Sequence, residues 1–171
     1  MRRSDDSTTI RRVSPNDLDL FMAYRTDPEI ARYQSWEVMD ADRTRNFLAF
    51  NQSVVPLIRP GEWVQIGIAE TGSDALIGDL GIKLSGDQAE AELGITLAAH
   101  AHGLGHGLRA TQLACNLIWD ETPADVIKVW ADIRNAPSRA LAERAGFTFI
   151  GFETNDGVDE AAFSMPRPQL D

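Results

Sequence analysis

Residues 100–107, His-Ala-His-Gly-Leu-Gly-His-Gly, join two runs of different character. The run before them, 89–98, is β-like, and the run after them, 108–115, is helix-like. Alternate glycines in a strand-to-helix turn expose backbone N–H groups, and the following helix N-terminus adds partial positive charge. The stretch therefore predicts an anion site, with phosphate or pyrophosphate as its natural guest.

The glycine spacing excludes two common phosphate-binding loops. A Walker loop needs Lys followed by Ser or Thr after its second glycine, and neither is present. A dinucleotide-binding loop needs a third glycine where this chain has Leu108. The pattern that fits is Gln/Arg-x-x-Gly-x-Gly/Ala, with His102 in the place of the usual Gln or Arg and with Gly105 and Gly107. It resembles the pyrophosphate loop of the GNAT superfamily of acyl-CoA N-acyltransferases.

A second motif follows at a suitable distance. Residues 135–147 read Asn-Ala-Pro-Ser-Arg-Ala-Leu-Ala-Glu-Arg-Ala-Gly-Phe and come directly after a predicted buried strand, 126–132. Asn135 is predicted to cap a short helix, and Gly146 to end it in a left-handed conformation. The string resembles the second GNAT signature. Two linked motifs in the family's order are far more specific than either motif alone.

The N-terminal part of the chain points to one branch of that family. Residues 25–33 follow the pattern Arg-x-Asp-Pro-Glu-x-x-x-Tyr. The pattern is similar to the branch of RimJ/RimL-type ribosomal-protein N-terminal acetyltransferases. The resemblance runs from about residue 8 to the end of the chain. It implies an acetyl-CoA-dependent N-acetyltransferase whose acceptor is a protein or peptide N-terminal amine or a small amine.

The predicted fold class is α/β (α+β) in one domain, 1–171, with residues 1–7 as a flexible tail. Predicted strands cover 8–13, 63–70, 76–84, 89–98, 126–132, 147–154 and 160–166. Predicted helices cover 15–26, 28–33, about 40–53, 104–119 and 136–145. The resemblance implies a GNAT-type mixed, mostly antiparallel central sheet of about seven strands, with helices on both faces.

The composition restricts the classes of partner that we expect this protein to bind. The net charge is −10, from 16 basic and 26 acidic side chains, which argues against a nucleic-acid surface and favours a cationic acceptor. No apolar run approaches the length of a membrane span, so no membrane partner is expected. The single cysteine, Cys115, is expected to pack in the core; a lone cysteine favours a reducing compartment and hence a cytoplasmic protein. Family members are often dimers, so a homodimer is compatible with the resemblance.

Glu92 is the first candidate for the catalytic base, because the resemblance places its strand along the thioester. An acceptor ammonium must lose a proton before it can attack, and a carboxylate can take that proton. Strand alternation puts Glu90 and Glu92 on the same face, where a plain solvent-facing role is equally open. Asp79, within an apolar strand, is the reserve candidate.

The resemblance also implies a set of binding residues. Ser138 would donate a hydrogen bond to the leaving thiolate, since no tyrosine follows the second motif; helix capping is its alternative role. The expected cofactor-binding residues are Ile95, Thr96, Leu97, His102, Gly103, Leu104, Gly105, His106, Gly107, Asn135 and Ser138, with backbone N–H groups of 95–97 at the oxyanion. Arg109, Arg139 and Arg144 are possible helpers at the phosphates. The expected acceptor-site residues are Arg25, Glu29, Tyr33 and Trp36, although an Arg25–Glu29 ion pair and core packing would also explain them.

Three histidines, His100, His102 and His106, raise the question of a metal. The zinc-hydrolase pattern needs a glutamate between its two histidines, and none is present, so no metal is expected. His102 and His106 are instead expected to point toward phosphates. Two other functions stay open at this point: a non-catalytic acyl-CoA-binding sensor and an aminoglycoside-type small-molecule acetyltransferase.

Overall fold

A single twisted sheet organises the chain. The computed structural model describes residues 1–34 and 36–169. The strands are β1 (Arg2–Ser4), β2 (Thr8–Arg12), β3 (Trp63–Glu70), β4 (Leu76–Leu84), β5 (Glu90–Leu97), β6 (Val126–Asp132), β7 (Thr148–Asn155) and β8 (Val158–Pro166). Their order across the sheet is β1-β2-β3-β4-β5-β6-β8-β7, and all neighbours are antiparallel except β5 and β6. The mixed, mostly antiparallel sheet predicted from the sequence is confirmed, with eight strands.

Helices cover both faces of this sheet. They are α1 (Leu18–Arg25), α2 (Pro28–Ala31), α3 (Ala41–Ser53), α4 (His106–Glu121) and α5 (Ala136–Arg144). On one face, α4 buries Ala110, Ala114 and Leu117 against Ala91 and Leu93 of β5. On the other face, α1 and α3 contribute to a second cluster that contains Phe21, Tyr24, Leu48 and Leu76. Apolar burial on both faces is what holds the central strands in place.

The N-terminal segment is attached to the sheet. The sequence predicts a flexible tail over residues 1–7, whereas the structure pairs Arg2–Ser4 with β2. The carboxylate of Asp5 accepts hydrogen bonds from the backbone N–H groups of Ser7 and Thr8, at 2.9 and 2.7 Å, and so turns the chain. An ion pair of 2.6 Å joins Arg3 to Asp120 on α4. These polar contacts carry no hydrophobic periodicity, which is why the strand escaped prediction.

The sheet opens between β5 and β6. The two strands pair over three positions only, and the last pair is Glu92 with Lys128. Beyond it, β5 stays paired with β4 as far as Leu97, and β6 stays paired with β8 as far as Asp132. The two halves of the sheet therefore diverge and leave a gap lined by strand backbone.

A buried carboxylate fastens α1 to the first half of the sheet. Asp79 on β4 is fully buried, and it accepts hydrogen bonds from Tyr24 Oη at 2.6 Å and from Arg25 Nη2 at 2.8 Å. Gln65 Nε2 also donates to it. The Arg25 guanidinium lies between the rings of Phe21 and Trp36, 4.6 and 4.1 Å from their centroids. Burial, with the Asp79 charge beside it, raises the pKa of Tyr24 well above its usual value.

Removing this carboxylate should destabilise the fold strongly. We expect Asp79→Ala to lower the free energy of unfolding by about 3–5 kcal/mol, because it leaves the Arg25 charge buried without a partner. Tyr24→Phe removes one hydrogen bond and keeps the ion pair, so its loss should be about 1 kcal/mol. Urea unfolding measures both. Equal stability of the two variants would contradict a structural role of the ion pair.

Candidate active site

A cleft of about 630 Å³ occupies the gap between the two halves of the sheet. The cleft is lined by the C-terminal end of β5, by residues 101–103, 105, 107 and 108, by α5 and by the α2 region. A narrower extension of about 100 Å³ continues between β5 and β6 toward the point where they pair. Both spaces are lined by Ile95, Asn135, Ser138 and Leu141, so they adjoin along β5 and the start of α5.

One end of the cavity is a cradle of backbone N–H groups. Gly103 and Gly105 adopt left-handed φ angles of +74° and +87°, which glycine tolerates without strain. The first helical bond of α4 runs from the Arg109 N–H to Gly105 O. Within the part of the chain that the structure describes, the N–H groups of residues 103–108 find no acceptor. Such a cluster at a helix N-terminus suits an anion, as the sequence predicts.

The two histidine rings of the loop are engaged elsewhere. His102 Nε2 lies 3.0 Å from Leu97 O; because a carbonyl only accepts, this ring nitrogen carries the proton. His106 is buried, and its Nδ1 lies 2.9 Å from Thr8 Oγ1 on β2. The sequence predicts rings that point toward phosphates, but these hydrogen bonds tie them to neighbouring strands. Their backbone N–H groups are the parts that remain suited to an anion.

Gly107 has a packing role. A Cβ at this position would lie 3.3 Å from side-chain carbons of both Leu141 on α5 and Leu97 on β5. Such a distance is tighter than ordinary van der Waals contact, so the neighbours would have to move. The glycine therefore allows α4 to lie close to α5 and β5, at the wall of the cavity.

The β5 backbone presents polar groups to the gap. The Ala98 N–H donates to Ile77 O of the β4 segment at 2.8 Å. Because backbone direction alternates along a strand, the N–H and C=O groups of Leu97 and Ile95 point the other way, into the gap. Thr96 lines the cavity, but by the same alternation its N–H faces β4. Two of the three N–H groups predicted at 95–97 thus face the cavity.

The start of α5 forms the opposite wall. Asn135 Oδ1 caps the helix by accepting from the Ser138 N–H at 3.2 Å, as predicted. Ser138 lines both parts of the cavity, and within the described residues its hydroxyl has no partner. Arg144 also lines the cavity, whereas Arg109 pairs with Asp5 at 3.3 Å and Arg139 donates to Ile133 O at 3.2 Å.

Glu92 lies where the gap begins, on the open face of the sheet. It is half-buried and forms no hydrogen bond to other described residues, whereas Glu90 is paired with Lys128 at 2.7 Å. Burial raises the pKa of the Glu92 carboxyl, and the charge of Glu160 raises it further, against the opposing effect of Lys83. A carboxylate with a raised pKa beside a cleft suits proton abstraction.

The reserve base is corrected by the structure. Asp79 is fully buried, and both of its oxygens accept hydrogen bonds from Tyr24, Arg25 and Gln65. A carboxylate held in this way has no free path to a substrate. The sequence alone indicates part of this answer, because an acidic residue inside an apolar strand needs a buried partner and is then not free to act as a base.

The four predicted acceptor-site residues separate into two pairs. Glu29 and Tyr33 line the cavity from the α2 side. Arg25 and Trp36 belong to the Asp79 cluster, so Arg25 forms neither an acceptor contact nor an ion pair with Glu29. Residues that the sequence did not single out, Gln34, Trp130 and Glu160, also line the narrow extension. Trp130 and Glu160 are placed by the β6–β8 register and Gln34 by the packing of the segment after α2, and both depend on tertiary structure.

No metal centre is visible in the described part of the chain. Over residues 1–34 and 36–169, no group of three or more His, Cys, Asp or Glu side chains is arranged to hold a metal ion. Among the same residues, none of the helices combines the length and apolar character needed to cross a membrane.

The structure is a mixed α/β fold whose sheet diverges around a cleft, and the N-terminus of α4 at that cleft suits an anion. The family model described as "Acetyltransferase (GNAT) domain" matches residues 8–148, and the chain belongs to this family. No curated protein sequence matches the chain.

Solved structures agree on the fold. An acetyltransferase (GNAT family) from Bacillus anthracis superposes with a TM-score of 0.82 at 18% identity, covering 97% of this chain and 98% of that one. Spermidine N-acetyltransferase from Vibrio cholerae, in complex with CoA and spermine, gives 0.79 at 16% identity, covering 95% and 97%. The ribosomal L7/L12 α-N-protein acetyltransferase RimL, in complex with coenzyme A, gives 0.78 at 16% identity, covering 96% of each chain.

The electrostatics of Glu92 can be tested without any substrate. We expect Lys83→Met to raise the Glu92 pKa, because it removes a positive charge that stabilises the carboxylate. Glu160→Gln should lower it, because it removes a repelling negative charge. Carboxyl NMR of the three proteins as a function of pH measures each shift. Shifts of the same sign in both variants would contradict this arrangement.

Proposed function

We propose that this protein is an acetyl-CoA-dependent N-acetyltransferase that transfers the acetyl group to a primary amine by direct attack on the thioester. One observation carries the proposal: the N–H cradle of residues 103–108 opens into a cleft that follows β5 as far as Leu93 and Gly94, and the half-buried Glu92 is the next residue of that strand. A site for an anionic cofactor tail and a proton-accepting group thus lie toward opposite ends of the open β5 edge.

The cleft residues fit acetyl-CoA. The free N–H groups of 103–108 suit its pyrophosphate, and Arg144 offers a positive charge at the same cleft. The pantetheine arm contains amides, which can pair with the inward-facing backbone of Ile95 and Leu97 and with the Asn135 side chain. Two structural neighbours were solved with CoA bound, which supports the same co-substrate here.

The reaction needs three contributions from the protein. Glu92 takes a proton from the acceptor ammonium, directly or through a water molecule, so that the nitrogen gains a lone pair. The nitrogen then forms a bond to the thioester carbon, and one inward N–H group of β5, that of Ile95 or of Leu97, stabilises the oxyanion. The C–S bond breaks, and the thiolate leaves with a hydrogen bond from Ser138, with Tyr33 as a second hydroxyl on the facing wall. The amide nitrogen then gives up its extra proton, directly or through water, to the thiolate, which leaves as the free thiol.

The charge of the protein favours a cationic acceptor. The carboxylates of Glu92 and Glu160 lie close enough for the charge of Glu160 to raise the pKa of Glu92, and the whole chain has a net charge of −10. The Arg-x-Asp-Pro-Glu-x-x-x-Tyr pattern at 25–33 supports a relationship to the RimJ/RimL branch and hence an N-terminal amine or a small amine as acceptor. Structural neighbours that act on a ribosomal protein and on spermidine are consistent with either choice.

Thiol release from acetyl-CoA, measured against a panel of diamines, peptides and aminoglycosides, tests the proposal. We expect Glu92→Gln to lower kcat by about 10²–10⁴-fold, the usual contribution of a general base, with CoA affinity unchanged. Glu90→Gln is the matched control, because that carboxylate is already paired with Lys128 and should change the rate far less.

Three outcomes of this assay are informative. Thiol release that depends on Glu92 supports the transferase. CoA binding without turnover for any acceptor would favour a sensor that binds the cofactor and transfers nothing. Absence of CoA binding would contradict the role of the N–H cradle and with it the proposed function.

A further inference from the structure

Gly94 is a strand glycine that the fold does not explain. It lies in the middle of β5, opposite Gly81 on β4, in a ladder with no bulge. Glycine inside a strand costs stability and usually marks a bulge, a bend or a close approach of other atoms. Yet Gly94 has no left-handed φ angle, and a Cβ added to it would meet nothing within 4 Å.

The other strand glycines each have a structural reason. A Cβ on Gly67 would lie 2.8 Å from Leu76 Cδ1, and one on Gly78 would collide with the backbone of Thr96. A Cβ on Gly81 would lie 3.2 Å from the Trp63 ring. Gly151 has a φ angle of +144° at a bulge in β7. By elimination, the space at Gly94 points to a group outside the described chain.

The space has defined walls. Strand alternation turns the position of the missing Gly94 side chain to the same open face as Glu92, away from the face on which Leu93 packs against α4. On one side, Trp63 covers Gly81 and is 48% exposed. On the other side, across the gap, Trp130 and Gly94 line the same narrow extension of the cavity. An open position two residues from the proposed base thus lies on the same face as two indoles, one over the neighbouring Gly81 and one lining the same narrow extension.

We propose that Gly94 determines acceptor specificity, because its missing side chain forms a slot that receives the aliphatic chain next to the reacting amine. The inference rests on the proposed function and names its substrate class: an unbranched alkyl primary amine. Indole rings bind methylene groups and attract cations, and the carboxylates of Glu92 and Glu160 attract the ammonium group.

The acyl group is a less suitable occupant of this slot. A side chain at position 94 would project onto the open face, whereas the cofactor cleft lies toward α4 and α5. The open face carries the carboxylates of Glu92 and Glu160 and two indole rings, and of its two lysines Lys128 is already paired with Glu90. Carboxylates and indoles suit a cation better than a neutral acetyl methyl group. An acceptor in the slot and an acyl group in the slot nevertheless lead to different expected results, and substitutions of Gly94 distinguish the two.

Filling the slot should weaken the acceptor alone. With 1,4-diaminobutane as the probe, we expect Gly94→Val to raise its KM about tenfold or more, and Gly94→Ala to raise it less. CoA affinity and melting temperature should not fall, because the added atoms meet no neighbour and valine favours strands. Gly86→Val is the matched control, since Gly86 lies in a turn with equally open space.

Each result decides one point. An unchanged KM in Gly94→Val, with an active wild type, overturns the slot. If Gly94→Val no longer transfers the propionyl group from propionyl-CoA while the KM for the amine is unchanged, the proposal is also overturned. That result would place the acyl group, and not the acceptor, at Gly94. A preference for a tripeptide α-amine over 1,4-diaminobutane in the wild type overturns the substrate class.

If the wild-type protein releases no thiol from acetyl-CoA with any acceptor, the result counts against the proposed function but does not by itself exclude the slot at Gly94. Calorimetric titration of 1,4-diaminobutane into CoA-saturated protein then decides the slot independently. Binding by the wild type that Gly94→Val abolishes supports the slot, and equal binding or none in both proteins overturns it.

Discussion

The early end of pairing between β5 and β6 is the constraint on which the site depends. After Glu92 and Lys128, the two strands no longer exchange hydrogen bonds, so one side of the β5 backbone is left facing a gap. An unpaired backbone group shielded from water costs about 1–3 kcal/mol, so such an edge is a favourable place for a ligand that supplies amides. The open edge explains why the groups that we propose to bind the cofactor are mainly backbone atoms.

The surrounding structure keeps that gap open and correctly shaped. Asp79 holds α1 against β4 on one face, and the glycine at 107 lets α4 lie against α5 and β5 on the other. The loop before α4 is tied to the strands by His102 on Leu97 and by His106 on Thr8. The N–H cradle is therefore set by contacts on several elements, and the carboxylate of Glu92 is left without a partner inside the described chain.

The sequence predicted local features well and distant contacts poorly. The glycine-rich turn before α4, the Asn135 cap and most strand boundaries follow from short-range rules, because glycine spacing, capping residues and hydrophobic period act within one element. The gap and the placement of Trp130 depend on which strands become neighbours across the α4 crossover, and the burial of Asp79 depends on how α1 packs on β4. The rings of His102 and His106 could not be placed for the same reason, because nothing near them in the sequence indicates that they bond to Leu97 and Thr8.

Calorimetric titration of CoA into the wild type, Gly105→Ala and Gly61→Ala tests the central claim most directly. Both glycines have left-handed φ angles, +87° and +77°, so alanine strains both positions alike, but Gly61 lies outside the cavity. The account predicts CoA binding that Gly105→Ala weakens about tenfold, the effect of 1–3 kcal/mol of strain in the cradle, while Gly61→Ala binds like the wild type. Equal CoA affinity in all three proteins, or none in the wild type, would contradict it.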